Sequence, residues 1–157
     1  MPTYPFVPKS TRSLQPGDFW PVPLPNGRYA CGRVLQLGGA LVPTPTRGFF
    51  GALMDWCGDH PPTSADLRAR GFLEVGVMHL RAITEIGKHI SGHRSLEEDG
   101  LEVPLVFDQE SIVGARVCRG AEPLRAAKRS EQGLYPVIGY WGYDFIQALA
   151  EERFAET

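Results

Sequence analysis

Cysteine is scarce in this chain and long apolar runs are missing, and each lack removes a class of protein. The three cysteines, Cys31, Cys57 and Cys118, are odd in number and widely spaced, so no disulfide framework is available. No run of about 18 apolar residues occurs, which excludes an ordinary membrane-spanning helix. The opening Met1-Pro2-Thr3-Tyr4-Pro5 lacks a basic stretch leading into an apolar one, so no secretory signal is expected and the cytoplasm is the default. Excess charge is also lacking. A formal net charge of -2 gives no global attraction to nucleic acid or to an anionic membrane surface.

Motifs for chemistry are equally sparse. Gly38-Gly39 has neither the lysine nor the following helix of a phosphate-cradling loop, and no GxGxxG opens a helix after a strand. Cys57/His60 and His89/His93 have spacings that occur in zinc sites, but neither pair has a partner pair, so no metal is expected. Cys57 and Cys118 have no nucleophile-elbow or papain-like surroundings. Adjacent carboxylates such as Glu97 and Glu98 point apart on any regular element and make a poor acid/base pair. These gaps argue against an enzyme and against a cofactor.

What the chain does hold is turn chemistry. Eighteen glycines and 14 prolines in 157 residues indicate many short strands in one domain of common size. Residues 1–16 read as an extended arm, rich in proline, that Tyr4, Phe6 and Val7 can pin to the body. Residues 17–157 form the domain. A strand over Asp18–Leu24 contains Pro21 and Pro23, so it lies at an edge or pairs only at alternate residues. Pro25-Asn26-Gly27 marks a turn, and Arg28–Leu37 returns as the second arm of a hairpin.

Further strands are expected at Ala40–Val42, Phe49–Trp56, Glu74–Ile83, Val103–Phe107, Ile112–Val117 and Tyr135–Tyr140. Thr63 and Asp66 form a capping-box pattern, which with Gly71 predicts a short helix over 63–70. A loop or surface helix is expected around Leu124–Arg129. A C-terminal helix begins at Asp144, with Phe145, Ile146, Leu149 and Ala150 on its buried face. The class is therefore α+β and mostly β: a bent, partly open antiparallel sheet with SH3-like barrel character, one short helix and a C-terminal helix.

Aromatic residues and segregated charge carry the functional signal. Gly139-Tyr140-Trp141-Gly142-Tyr143 places three rings where a strand meets a helix, and they cannot all point inward. With Trp56, Asp144 and Glu151 they make a candidate protein-binding surface, aromatic and acidic. Glu97, Glu98, Asp99 and Glu102 form a second acidic run, Glu151, Glu152 and Glu156 an acidic C-terminus, and Arg116 to Arg129 a basic stretch between them.

The stretch Leu14-Gln15-Pro16-Gly17-Asp18-Phe19-Trp20-Pro21-Val22-Pro23-Leu24-Pro25-Asn26-Gly27-Arg28-Tyr29-Ala30-Cys31-Gly32-Arg33-Val34-Leu35 resembles the opening of the immunity protein 26 family. The likeness extends weakly through Phe49–Trp56 and Val77–Ile83. It implies a largely β, cytoplasmic bacterial protein that binds and neutralises a cognate toxin of a polymorphic or contact-dependent system. No catalytic residues come with the resemblance, and neither nucleic acid nor membrane is an expected partner. The same hairpin also looks like the first hairpin of the small barrel in MazF-type endoribonucleases. Under that alternative, an RNA-binding or RNA-cleaving barrel, Arg28 and Arg33 would be the residues to suspect.

Overall fold

The computed structural model describes residues 2–155, so Glu156 of the acidic C-terminus lies outside the described residues. The class is α+β and mostly β. Strands β1 (Asp18–Pro23), β2 (Tyr29–Gln36), β3 (Gly48–Gly58) and β4 (Phe72–His79) form an antiparallel meander, which the two-residue β5 (Gly92–His93) completes in the order β4-β3-β2-β1-β5. Strands β6 (Leu105–Phe107), β7 (Arg116–Arg119) and β8 (Glu122–Ala126) make a second antiparallel sheet in chain order. An α-helix, α1 (Phe145–Arg153), follows. Neither sheet closes into a barrel.

Both faces of the larger sheet are covered, which explains why its strands do not alternate cleanly between apolar and polar residues. Trp20, Val22, Val34, Phe49, Leu53 and Met78 face one core, which Ile83, Ile90, Ile146 and Leu149 seal. Phe19, Cys31, Leu35, Phe50, Met54 and Val77 face the other, against Val106, Cys118 and Ala121 of the smaller sheet and Ile138.

The prolines of β1 are accommodated by pairing at alternate residues. The Leu24 N–H donates to Arg28 O and β1 runs antiparallel to β2, so Trp20 and Val22 take the other bonded positions while Pro21 and Pro23 face away. The turn uses Gly27 at φ 79°, and the Asn26 side chain accepts from Arg28 N–H. Beyond Phe19, β5 no longer pairs with β1, and the proline end is covered instead by Gly87 and by α1, whose Gln147 Nε2 donates to Pro23 O at 2.9 Å.

Several expected elements differ. Ala40–Val42 is a turn, not a strand, because Leu41 N–H is taken by Ala121 O of the second sheet. The 63–70 helix is one 3-10 turn, Ala65–Leu67: the Asp66 carboxylate does accept from Thr63, but Ala69 at φ 60° ends the turn at once. The Glu74–Ile83 strand stops at His79, and Ala82–Gly87 forms a π-helical turn. Leu80, Ala82 and Ile83 are all buried in one core, and strand alternation cannot point such near neighbours the same way.

Val103–Phe107 begins only after Pro104, and the strand expected from Ile112 begins at Arg116. The region read as a loop or helix around Leu124–Arg129 supplies β8, followed by a 3-10 turn at Arg129–Glu131. Tyr135–Tyr140 makes only isolated bridges. In α1, Phe145 is largely exposed, against the expected burial, while Ile146, Leu149 and Ala150 are buried. Within the arm, Tyr4 and Phe6 pack on the core but Val7 is exposed.

Candidate protein-binding surface

The segment Pro136–Trp141 is a strap that ties the two sheets together by their edges. Phe107 N–H donates to Pro136 O and Ile138 N–H to Phe107 O, each at 2.8 Å. Three residues on, Val77 N–H donates to Gly139 O and Trp141 N–H to Val77 O, again at 2.8 Å. The strap thus runs parallel to the end of β6 and then parallel to β4. Extended backbone sends the adjacent Val137 and Ile138 opposite ways, so Ile138 is buried while Val137 is left 41% exposed. Tyr140, where the strap has passed from β6 to β4, is 55% exposed.

Trp141 folds back across β4. A Cβ at position 76 would lie 2.5 Å from its indole and one at position 139 would lie 2.7 Å from it, so Gly76 and Gly139 leave the space that the ring fills. The half-buried indole meets Phe145, the first residue of α1, with ring centroids 5.2 Å apart. Tyr143 is half-buried, and the Arg81 guanidinium lies 4.2 Å from its ring centre. Such a cation–π contact helps to hold the ring in place.

Of the residues expected from sequence, the structure brings Tyr140, Trp141, Tyr143 and Asp144 together. Asp144 is exposed at the N-cap of α1, and its side chain makes no capping bond. Glu151 is exposed but lies about 10 Å farther along the helix axis, in a shallow depression with Leu24, Pro25 and Asn26. Trp56 does not belong to the surface. It is buried at the end of β3, with its ring 5.7 Å from that of His60. Sequence reasoning missed Phe145 and Val137. No periodicity marks the Phe145 pairing, because Trp141 lies before the helix and only the turn at Tyr143–Asp144 brings the two rings together.

The hairpin that carries the family resemblance is interior. Gly17, at φ 104°, donates its N–H to Val34 O, and any side chain there would strike Arg94 O and the His93 ring. Asp18 is fully buried, and its Oδ1 receives the Tyr4 hydroxyl at 2.7 Å and His93 Nδ1 at 3.0 Å. Its Oδ2 accepts from Gln15 N–H at 3.0 Å. Burial and this carboxylate push the Tyr4 phenol up to about 12, so it remains a donor at neutral pH. Gly32 lies under the Trp20 ring, which a Cβ would approach to 2.4 Å.

Arg33 is fully buried, and its Nη2 donates to the Arg94 and Ser95 carbonyls while Nε and Nη1 have no protein partner. Burial lowers its pKa. A guanidinium so enclosed is not presented to an RNA phosphate. Arg28, at the hairpin turn, is half-buried.

The remaining candidates for chemistry stay apart. His60 is held by Asp59 and Asp66 at 2.9 and 3.0 Å, and these hydrogen bonds raise its pKa. Cys31 is enclosed in the core, and burial pushes its thiol well above the ordinary range. Among the described residues, no group of three or more His, Cys, Asp or Glu side chains is placed to hold a metal ion. Among the described residues, no helix is long and apolar enough to cross a membrane. Compared with protein-family models, curated proteins and solved structures, the chain matches none.

Proposed function

We propose that this chain is an immunity protein that binds a cognate bacterial toxin domain and neutralises it in the cytoplasm, without catalysis of its own. The observation that carries this reading is the strap: Tyr140, Trp141 and Phe145 form an exposed or half-exposed aromatic group on a rigid hydrogen-bonded segment. Stiff rings held this way anchor protein interfaces with little ordering cost. The resemblance of residues 14–35 to the immunity protein 26 family supports the same class. Asp144 beside the rings adds negative charge, suited to a toxin whose active site binds nucleic acid.

The test begins with the genes beside the one for this chain: a toxin domain found there is catalytically inactivated, purified and measured for binding. Tyr140→Ala removes an exposed ring and should weaken binding by roughly 2 kcal/mol, as for an interface anchor, without moving the melt. Trp141→Ala should weaken binding similarly and also lower the melt, because its ring covers Gly76. Unchanged affinity in both variants would refute the strap as the contact. Absence of binding by the wild type, together with no protection in cells, would refute the immunity reading.

A further inference from the structure

The strap is short beside the roughly 800 Å² that a stable interface buries on each partner, and at its Pro136 end the surface continues into two grooves. Next to Pro136 and Val137 lies a groove of about 310 Å³ along the outer edge of β4, lined also by Phe72, Leu73, Val75 and Pro104. Immediately past Pro104, Val103 lines a second, larger cleft of about 670 Å³. Leu35, Leu96 and Leu101 also line that cleft, and Glu97 and Glu102 stand on it. The 3-10 turn Leu96–Asp99, docked by the Arg33 bonds to the Arg94 and Ser95 carbonyls, forms one wall.

Charge in this cleft is unevenly committed. Asp99 is bound by Arg94 at 2.7 Å, and Arg119 donates to the Val103 carbonyl at 3.0 Å. Glu97 and Glu102 are both exposed and neither takes part in a salt bridge among the described residues. Glu98, beside them, reaches Arg94 only at 3.9 Å. An apolar cleft with free carboxylates matches the shape of a lysine or arginine side chain, whose stem seeks apolar surface and whose head seeks charge.

We infer that the cleft between Leu96, Leu101 and Val103 takes a basic, amphipathic segment of the same protein partner that the strap engages, with Glu97 and Glu102 receiving its cationic heads. This rests on the immunity reading and adds to it a second contact and the partner's chemistry. Exposed complementary charges act mainly by steering association, so the contact should depend on salt.

The experiment is a set of charge reversals, Glu97→Lys, Glu102→Lys and the double variant, measured by titration calorimetry and stopped-flow against the inactivated toxin domain. Glu110→Lys, on an exposed loop that does not line the cleft, is the control. The double variant should bind at least about tenfold more weakly than wild type at 50 mM salt, chiefly through a slower on-rate, with a smaller difference at 500 mM. The control should stay within about twofold. Melts should not move, because both glutamates are exposed. Wild-type binding with a double variant inside twofold overturns this inference and leaves the immunity reading standing. No wild-type binding overturns both.

Discussion

Tyr4 and His93, far apart in the chain, donate to the same buried oxygen of Asp18, at 2.7 and 3.0 Å. This shared carboxylate fastens the N-terminal arm and β5 to the first strand of the central hairpin. Removing it leaves three donors without an acceptor, those of Tyr4, His93 and Gln15. Asp18→Ala should destabilise the fold by about 3–5 kcal/mol, as for leaving several buried donors unsatisfied at once, and Tyr4→Phe by about 1–1.5 kcal/mol. Urea unfolding of the two variants checks this. A loss below 1 kcal/mol in Asp18→Ala would mean that the arm is not held by this carboxylate.

Gly32 and Gly76 each lie under a tryptophan, with different consequences. Gly32 faces Trp20, which is completely enclosed, whereas Gly76 faces Trp141, which is half-exposed. Gly32→Ala should cost about 3 kcal/mol or more, beyond ordinary overpacking, because the ring has nowhere to go. Gly76→Ala should cost about 1 kcal/mol, because Trp141 can swing outward. Tryptophan emission should then shift to the red in Gly76→Ala, together with weaker toxin binding. Equal losses of stability in the two variants would contradict this asymmetry.

Acid should destabilise the protein in a defined window. The Arg94 guanidinium holds Asp99 down at about 2, and Arg125 holds Glu131 at about 2. A carboxylate depressed in the folded state contributes stability that is fully present above its unfolded pKa, about 4. That contribution is lost as pH falls from there toward 2. Melting temperatures of wild type should therefore drop between pH 4 and 2, and Asp99→Asn should start lower and fall less steeply. A parallel fall in the two proteins would show that the Arg94 pair has no part in it.

Arg33 separates a structural guanidinium from an RNA contact. Arg33→Ala should destabilise by about 3 kcal/mol, by loss of packing and of the hydrogen bonds to Arg94 and Ser95. Arg33→Met fills the space without a buried charge and should cost less than half as much. Both are read from urea midpoints, with cleavage of single-stranded RNA assayed in parallel. RNA cleavage by wild type that Arg33→Met abolishes while still folded would favour the ribonuclease reading instead.

The hairpin was legible because its instructions are local. Pro25-Asn26-Gly27 specifies a turn, and two prolines at alternate positions specify which side of β1 may pair. The strands of β3 and β4 were legible to within a few residues for a similar reason, through apolar and aromatic runs bounded by glycine. The 63–70 helix was over-read: its capping box is real, but a cap does not extend a helix past Ala69 at positive φ. The β8 strand was missed because Glu122–Ala126 is polar and exposed at a sheet edge, so no periodicity marks it.

The aromatic group at 139–143 was visible as three rings that could not all be buried. Which ring faces outward was not. By itself the sequence determined a mostly β domain, the central hairpin, the C-terminal helix and the presence of an aromatic surface. Those follow from turn chemistry, strand and helix period and steric limits, all of which act over a few residues. Tertiary structure alone decided that Trp56 is core and that Arg33 is enclosed. It alone decided, too, that Asp18 joins the arm to β5. Each of these depends on two covered faces of one sheet meeting residues distant in the chain, and no local rule carries that information.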